Sequence, residues 1–264
     1  MVEGKRNDSV SKTLLVVLVL CLVCAVVVSG AAVGLKTHQQ EQRLLDKQRN
    51  ILGVAGLITP GMSNHDVLST FHTRITPRLV DLNSGALLEQ DPAQFDAIAA
   101  LKDPAQRRLL DAEHDPAGIK WRSNIVEIYL VRDTDRTPHQ LILPIYGNGL
   151  WSMMHAFVAL EPDGRTVRGI AYYEHGETPG LGGEVENPRW RQQWVGKKLL
   201  DDQGNPAIRV MKGSAPPDDP VAVDGLSGAT LTARGVQHSF DFWLGDLGFG
   251  PFLKRVREGE LNNG

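Results

Sequence analysis

Beyond Cys24 the chain has no cysteine at all. That excludes disulfides, zinc–thiolate centres and cysteine-held iron–sulfur clusters from everything downstream. The two cysteines, Cys21 and Cys24, have the C-x-x-C spacing of metal and redox motifs. Their neighbours are Leu20, Leu22, Val23 and Ala25, with no histidine or carboxylate beside them. They read as inert thiols packed in lipid or against a helix. Positive charge is not in excess either: 28 Lys and Arg face 31 Asp and Glu, a net charge of -3. No basic stripe is present, which argues against nucleic acid as a partner. No internal repeat occurs, and no low-complexity segment apart from one apolar run.

That run, residues 13–35, carries no charge. At about 1.5 Å per residue its helix crosses a bilayer core. In lipid the backbone must satisfy its own hydrogen bonds, so helix is expected despite many β-branched residues. Lys5, Arg6 and Lys12 precede it and Lys36 follows. Positive charge stays inside, which makes 1–12 a cytoplasmic tail and places the rest outside, in the periplasm of a Gram-negative cell. Ser29-Gly30-Ala31-Ala32 would suit a cleaved signal peptide, but the run exceeds a usual signal core, and a retained anchor is the preferred reading.

Residues 36–123 are expected to be mainly helical. Leu44, Leu45, Ile51 and Leu52 form one face of a helix over 38–56. Ser63 is placed to cap a helix to about Thr73, a further helix is expected over 93–102, and Asp103-Pro104 to start another. From Asn124 the period changes. Strands are expected over 124–132, 139–146, 155–160 and 167–174, with a fifth over 208–211. Short turns between them argue antiparallel pairing. Residues 229–247 regain helical spacing, with Leu231, Val236, Phe240, Trp243 and Leu244 on one face, and Gly248, Gly250 and Pro251 end it. The expected fold is α+β: a mostly antiparallel sheet with flanking helices, forming a domain over 124–264 behind one transmembrane helix.

Three clusters carry candidate chemistry. In Asp224-Gly-Leu-Ser-Gly-Ala-Thr-Leu-Thr232, Gly225 and Gly228 allow a sharp turn and close approach of a ligand. Ser227, Thr230 and Thr232 add hydroxyls just where a helix begins, and free amides there suit a phosphate. The tetrapeptide alone fits a plain capped helix equally well. It is not a lipase elbow, because Ala229 stands where that motif needs glycine, and not a Walker loop, because no lysine precedes Thr230. The second cluster, Gly147-Asn-Gly-Leu-Trp151, suits an indole set against a flat ring; by itself it is more simply a strand-ending turn with a core Trp. The third, His175-Gly-Glu177-Thr178-Pro-Gly-Leu181-Gly-Gly-Glu184, is a structured loop with polar atoms at Glu177 and Thr178 and an apolar side chain at Leu181. Its H-x-E lacks the downstream cysteines of zinc deaminases, and H-E-x-x-H is absent. Lys212 would set a cation near a phosphate or reduced flavin, or be a surface lysine at a strand end.

Taken together, in this order and spacing, the three clusters resemble the family of the C subunit of the Na+-translocating NADH:quinone oxidoreductase. The resemblance covers the anchor and most of the chain, with no departure at the motif positions. It implies FMN joined through its phosphate to Thr230, with Ser227, Gly228, Ala229 and Asp224 around the attachment. It implies Trp151 and Leu181 on either side of the flavin, and polar contacts near Thr178 and Lys212. A separate flavin transferase, with FAD as donor and Mg2+, would form the bond, with Asp224 helping to deprotonate Thr230 or to hold the metal. The protein would then pass electrons within the complex at the cell inner membrane, with no acid, base or metal of its own. The G subunit of the Rnf complex is similar, but the Gly-Asn-Gly-Leu-Trp loop, Gly183-Glu184 and the long 36–123 segment favour the quinone reductase. A cofactor-free assembly subunit and an anchored hydrolase using Ser227 or Thr230 stand as the other readings; the hydrolase lacks a base at recognisable spacing.

Overall fold

The structure is a computed structural model and describes residues 10–133, 137–259 and 261. The tail residues Lys5 and Arg6 lie outside these. The chain divides into two compact units, Met1–Lys47 and Gln48–Gly264.

In the first unit, helix α1, Val10–Val54, contains the apolar run and is long and apolar enough to cross a membrane. Its last residues belong to the second unit, where Gln48, Ile51, Leu52 and Val54 are buried. Helix α2, Asn64–Arg74, starts at Ser63 as expected. The Ser63 hydroxyl oxygen accepts from the Asp66 amide at 3.2 Å, while an Asp66 carboxylate oxygen accepts from the Ser63 amide at 3.4 Å. Such a reciprocal cap is worth about 1 kcal/mol.

The expectation that 36–123 is mainly helical is corrected here. Strand β1, Ile75–Asp81, follows α2 directly and pairs along its whole length with β5, Ile125–Arg132. Between them lie β2 (Leu87–Leu88), a 3-10 turn at Pro92–Gln94, α3 (Ala97–Lys102), and the hairpin strands β3 (Arg107–Leu109) and β4 (Trp121–Ser123). The helix expected over 93–102 is thus two short pieces, each opened by an aspartate, Asp91 and Asp96, whose side chain caps it. No helix starts at Asp103-Pro104; Asp103 there accepts from the Ala105 amide and turns the chain into β3.

Strands β6 (Pro138–Asn148), β7 (Met153–Leu160) and β8 (Val167–Glu174) complete a six-stranded sheet of order β2-β1-β5-β6-β7-β8, antiparallel throughout. After β8 come α4 (Pro188–Gln192), β9 (Arg209–Val210), β10 (Ala222–Val223), α5 (Thr230–Leu244) and α6 (Gly250–Arg257). The fifth expected strand is the short β9. It pairs in parallel with β10 and not with the large sheet.

One sheet face packs against α5, α6 and the 185–226 connection. Met154, Ala156, Val158 and Leu160 point there, as do Val236, Phe240 and Trp243 from α5. Trp194 stacks on Phe240 with ring centroids 4.7 Å apart. Truncating a fully buried aromatic of this kind costs about 3–5 kcal/mol. Leu231, expected on this face, is instead 52% exposed. On the other face, Tyr129 meets Phe71 of α2 and Phe157 edge-on, and the end of α1 lies close enough that a side chain at Gly169 would press on the Val54 carbonyl.

Candidate functional site

The three clusters converge at the ends of β6 and β8 and the start of α5. Strand β6 runs two residues further than expected, through Asn148, and the chain returns as β7 at Met153. The turn between them, 149–152, is closed by a hydrogen bond from the Gly149 amide to the Ser152 carbonyl at 2.8 Å. It leaves Leu150 and Trp151 exposed, Trp151 at 69%. The loop after β8 folds on the Thr178 carbonyl, which accepts from the Leu181 amide at 3.1 Å and the Gly183 amide at 2.9 Å. Thr178 is exposed on that fold, and Leu181 is 44% exposed.

Helix α5 opens at Thr230, which is exposed; its N-cap, Ala229, is buried and supplies no side-chain cap. The first-turn amides of a helix have no partner within it, so this end presents donors to whatever lies beyond. Gly228 adopts a left-handed φ of 71°, and a side chain there would come within 3.0 Å of Leu181. Ser227 and Gly228 are exposed in the turn before the helix. A Cβ on Gly225 would collide with the Met211 carbonyl, so glycine is required where the two segments touch. Beside Thr230 lies a cavity of about 190 Å3, lined among others by Lys212, Arg234 and Gln237. Arg234 is one helical turn from Thr230, on the same face. A larger cavity of about 530 Å3, near Gly56, Arg168 and Arg191, contains none of the residues singled out in the sequence.

Asp224 sits differently from the other candidates. Its carboxylate accepts from the Ala215 amide at 2.7 Å and from the Gln193 side chain at 3.0 Å. Its carbonyl accepts from the Trp190 indole at 2.9 Å. It ties the 213–217 loop and α4 to the segment leading into the turn, and does not line the cavity beside Thr230.

Two residues that matter were not singled out as site residues. Glu177 is 5% exposed, and its carboxylate accepts from the Trp151 amide at 2.9 Å and from the Thr232 hydroxyl at 2.5 Å. Thr232 is itself buried. Behind the site, burial lowers the His155 pKa, with Glu174 opposing, and pushes the Tyr146 phenol up to about 12; the two rings stack at 5.4 Å. Among the described residues no group of histidine, cysteine, aspartate and glutamate is arranged to hold a metal ion.

The FMN-binding domain family matches residues 149–245, from the turn bearing Trp151 to the end of α5. Over 99% of this chain and 98% of its own length, the C subunit of the Na(+)-translocating NADH-quinone reductase of Yersinia pestis is 66% identical. Its counterpart from Vibrio anguillarum is 56% identical over 98% of this chain and all of its own. Among solved structures, that of Shewanella oneidensis NqrC superimposes with a TM-score of 0.74 at 37% identity, covering 81% of this chain and 97% of that one. With such identity sustained from one end to the other, the chain belongs to the C-subunit family of the Na(+)-translocating NADH-quinone reductase, an oxidoreductase complex.

Proposed function

We propose that this chain is the FMN-carrying electron-transfer subunit of a Na+-translocating NADH-quinone reductase, with the flavin bound covalently through its phosphate to Thr230. The carrying observation is the convergence on one rim of an exposed Thr230 hydroxyl at a helix start, Trp151 and Leu181. FMN supplies one- and two-electron chemistry where it is bound. The residues fit that group. The α5 amides, Lys212 and Arg234 offset phosphate charge. Gly228 has no side chain to block the approach, and the cavity of about 190 Å3 beside Thr230 has room for a phosphate. Trp151 and Leu181 supply the apolar contacts that flank the ring and keep water from it; Ser227, Ala229 and Thr178 shape its rim.

Thr230 would act as a nucleophile once, during maturation by a flavin transferase. Its hydroxyl oxygen would attack the FMN-side phosphorus of FAD, and the pyrophosphate P–O bond would break with AMP as the leaving group. The hydroxyl proton would pass to a base of the transferase or to water. Asp224 serves by holding the turn in shape, since both of its carboxylate oxygens are engaged elsewhere. The chain is anchored in the inner membrane by α1, with its N-terminus cytoplasmic and its second unit periplasmic, and works against the other subunits of the complex. The identity to relatives that are C subunits favours this over a G-type subunit of an Rnf complex.

The test is denaturing electrophoresis of the chain matured with its transferase. A fluorescent flavin band is expected, with an FMN mass on the peptide containing Thr230. Thr230→Val should remove both. A bare polypeptide would favour the assembly-subunit reading, and an undiminished band in Thr230→Val would place the bond elsewhere.

A further inference from the structure

We propose that Glu177 is the positioning residue of this site: its buried carboxylate clamps the Trp151 turn to helix α5, fixing the distance between the indole and the Thr230 hydroxyl. What is positioned rests on the flavin reading above; the clamp itself does not.

Carboxylates are seldom buried unless fully hydrogen-bonded. Glu177 is buried in a loop rich in glycine and proline, where a solvated carboxylate would be ordinary. Each of its oxygens takes a different segment: Oε1 accepts from the Trp151 amide, 26 residues away, and Oε2 from the Thr232 hydroxyl, 55 residues away. Hydrogen bonds to a charged acceptor are the stronger kind.

The surrounding backbone is shaped to the carboxylate. A side chain on Gly149 would come within 2.5 Å of Oε1, and one on Gly182 within 2.7 Å of Oε2 and 2.5 Å of the Thr232 hydroxyl. Both glycines are thus required by the space the carboxylate and its partner occupy. The Glu177 amide is fixed in turn by the His175 ring at 3.2 Å, and that ring lies 3.1 Å from a Glu186 carboxylate oxygen. Ser152 adds a parallel tie, accepting from the Gly176 amide at 2.6 Å. Trp151 therefore has an exposed ring on a fixed backbone, and Thr230 sits two residues before the hydroxyl that the same carboxylate holds.

The experiment compares the full chain in detergent, matured with its transferase, with Glu177→Gln and Glu177→Ala. The side-chain amide introduced by Glu177→Gln would keep both contacts, accepting from the Trp151 amide through its oxygen and meeting the Thr232 hydroxyl with its nitrogen as donor; alanine loses both. Hydrogen exchange is read at 149–152 and at the β6–β7 amides. In Glu177→Ala the 149–152 amides should exchange about 10-fold faster or more while the sheet stays protected; glutamine should restore them. Fluorescence of the bound flavin in the folded chain should rise in alanine and stay quenched in glutamine. Wild-type exchange in the alanine variant, or glutamine no better than alanine, overturns the proposal. Should alanine not fold, Thr232→Val keeps the side-chain shape without the hydroxyl. Faster exchange at 177–183 is then expected, and unchanged exchange overturns the clamp. A wild-type chain with no flavin sinks the flavin reading alone, because exchange still decides the clamp.

Discussion

At the scale of single residues, Trp151 combines a ring 69% exposed with a backbone amide held by a buried carboxylate. A large aromatic left open on a rigid support suits a flat ligand, and contacts between such rings are worth about 0.5–1.5 kcal/mol beyond area burial. Trp151→Ala is therefore expected to change thermal stability of the unit by no more than about 0.5 kcal/mol. It should raise the fluorescence of the bound flavin in the folded protein. Unchanged fluorescence, with a marked fall in melting temperature, would make Trp151 a packing residue. The turns bearing Thr230, Trp151 and Leu181 stood out in the sequence because glycines and apolar residues there are locally odd. Each alone also fitted a plain turn, and only the family resemblance assigned them to a flavin. Glu177 and Thr232 were visible only as polar atoms of those clusters. Their burial and mutual hydrogen bond were not, since these depend on partners 26 and 55 residues away, which local pattern does not carry.

At the scale of elements, α5 lies unusually close to the end of β6. A side chain on Gly235 would collide with the Asn148 carbonyl, and one on Gly147 with the Ser239 hydroxyl, which donates to the Gly235 carbonyl at 2.8 Å. The helix is pressed onto the sheet where the Trp151 turn begins, so packing and site geometry are one contact. Gly235→Ala gains helix propensity but must push two backbones apart. It is expected to destabilise the unit by about 1–3 kcal/mol in denaturant unfolding, and to reduce flavin loading under matched expression. A variant as stable as the parent would show that the contact is slack.

The same elements show why the sheet was legible in the sequence and β1 was not. Residues 124–132 announce themselves by a β-branched run, and 155–160 and 167–174 by the turn Glu161-Pro162-Asp163-Gly164 between them. Strand β1 contains Pro77, which counts against a strand. The structure accommodates it because β2 pairs only with Leu79 and Val80, leaving the other side of Pro77 open. Pro144 in β6 is tolerated in the same way, since the pairing with β5 reaches only Ile142. Leu231 fits the apolar period of α5, yet it lies in the first turn, beside the exposed Thr230 and beyond the sheet's cover.

At the scale of the whole molecule, the scarcity of cysteine makes the membrane arrangement open to a direct test. The only two cysteines, Cys21 and Cys24, lie within the apolar run of α1. Replacing both with alanine leaves a thiol-free chain whose anchor is still apolar. Gln203 is exposed in a turn of the second unit, and Asn7 precedes the run. Single cysteines introduced as Gln203→Cys and Asn7→Cys should then respond oppositely to a membrane-impermeant maleimide. Lys5, Arg6 and Lys12 ahead of the run, against Lys36 behind it, favour retention of the N-terminus inside. Gln203→Cys should label in cells with a permeabilised outer membrane, and Asn7→Cys only after the inner membrane is opened. The reverse pattern would invert the topology and put the Thr230 site on the cytoplasmic side. Loss of the Asn7→Cys label under all conditions, with the domain released by washing, would mean the run is cleaved near Ala32 and anchors nothing.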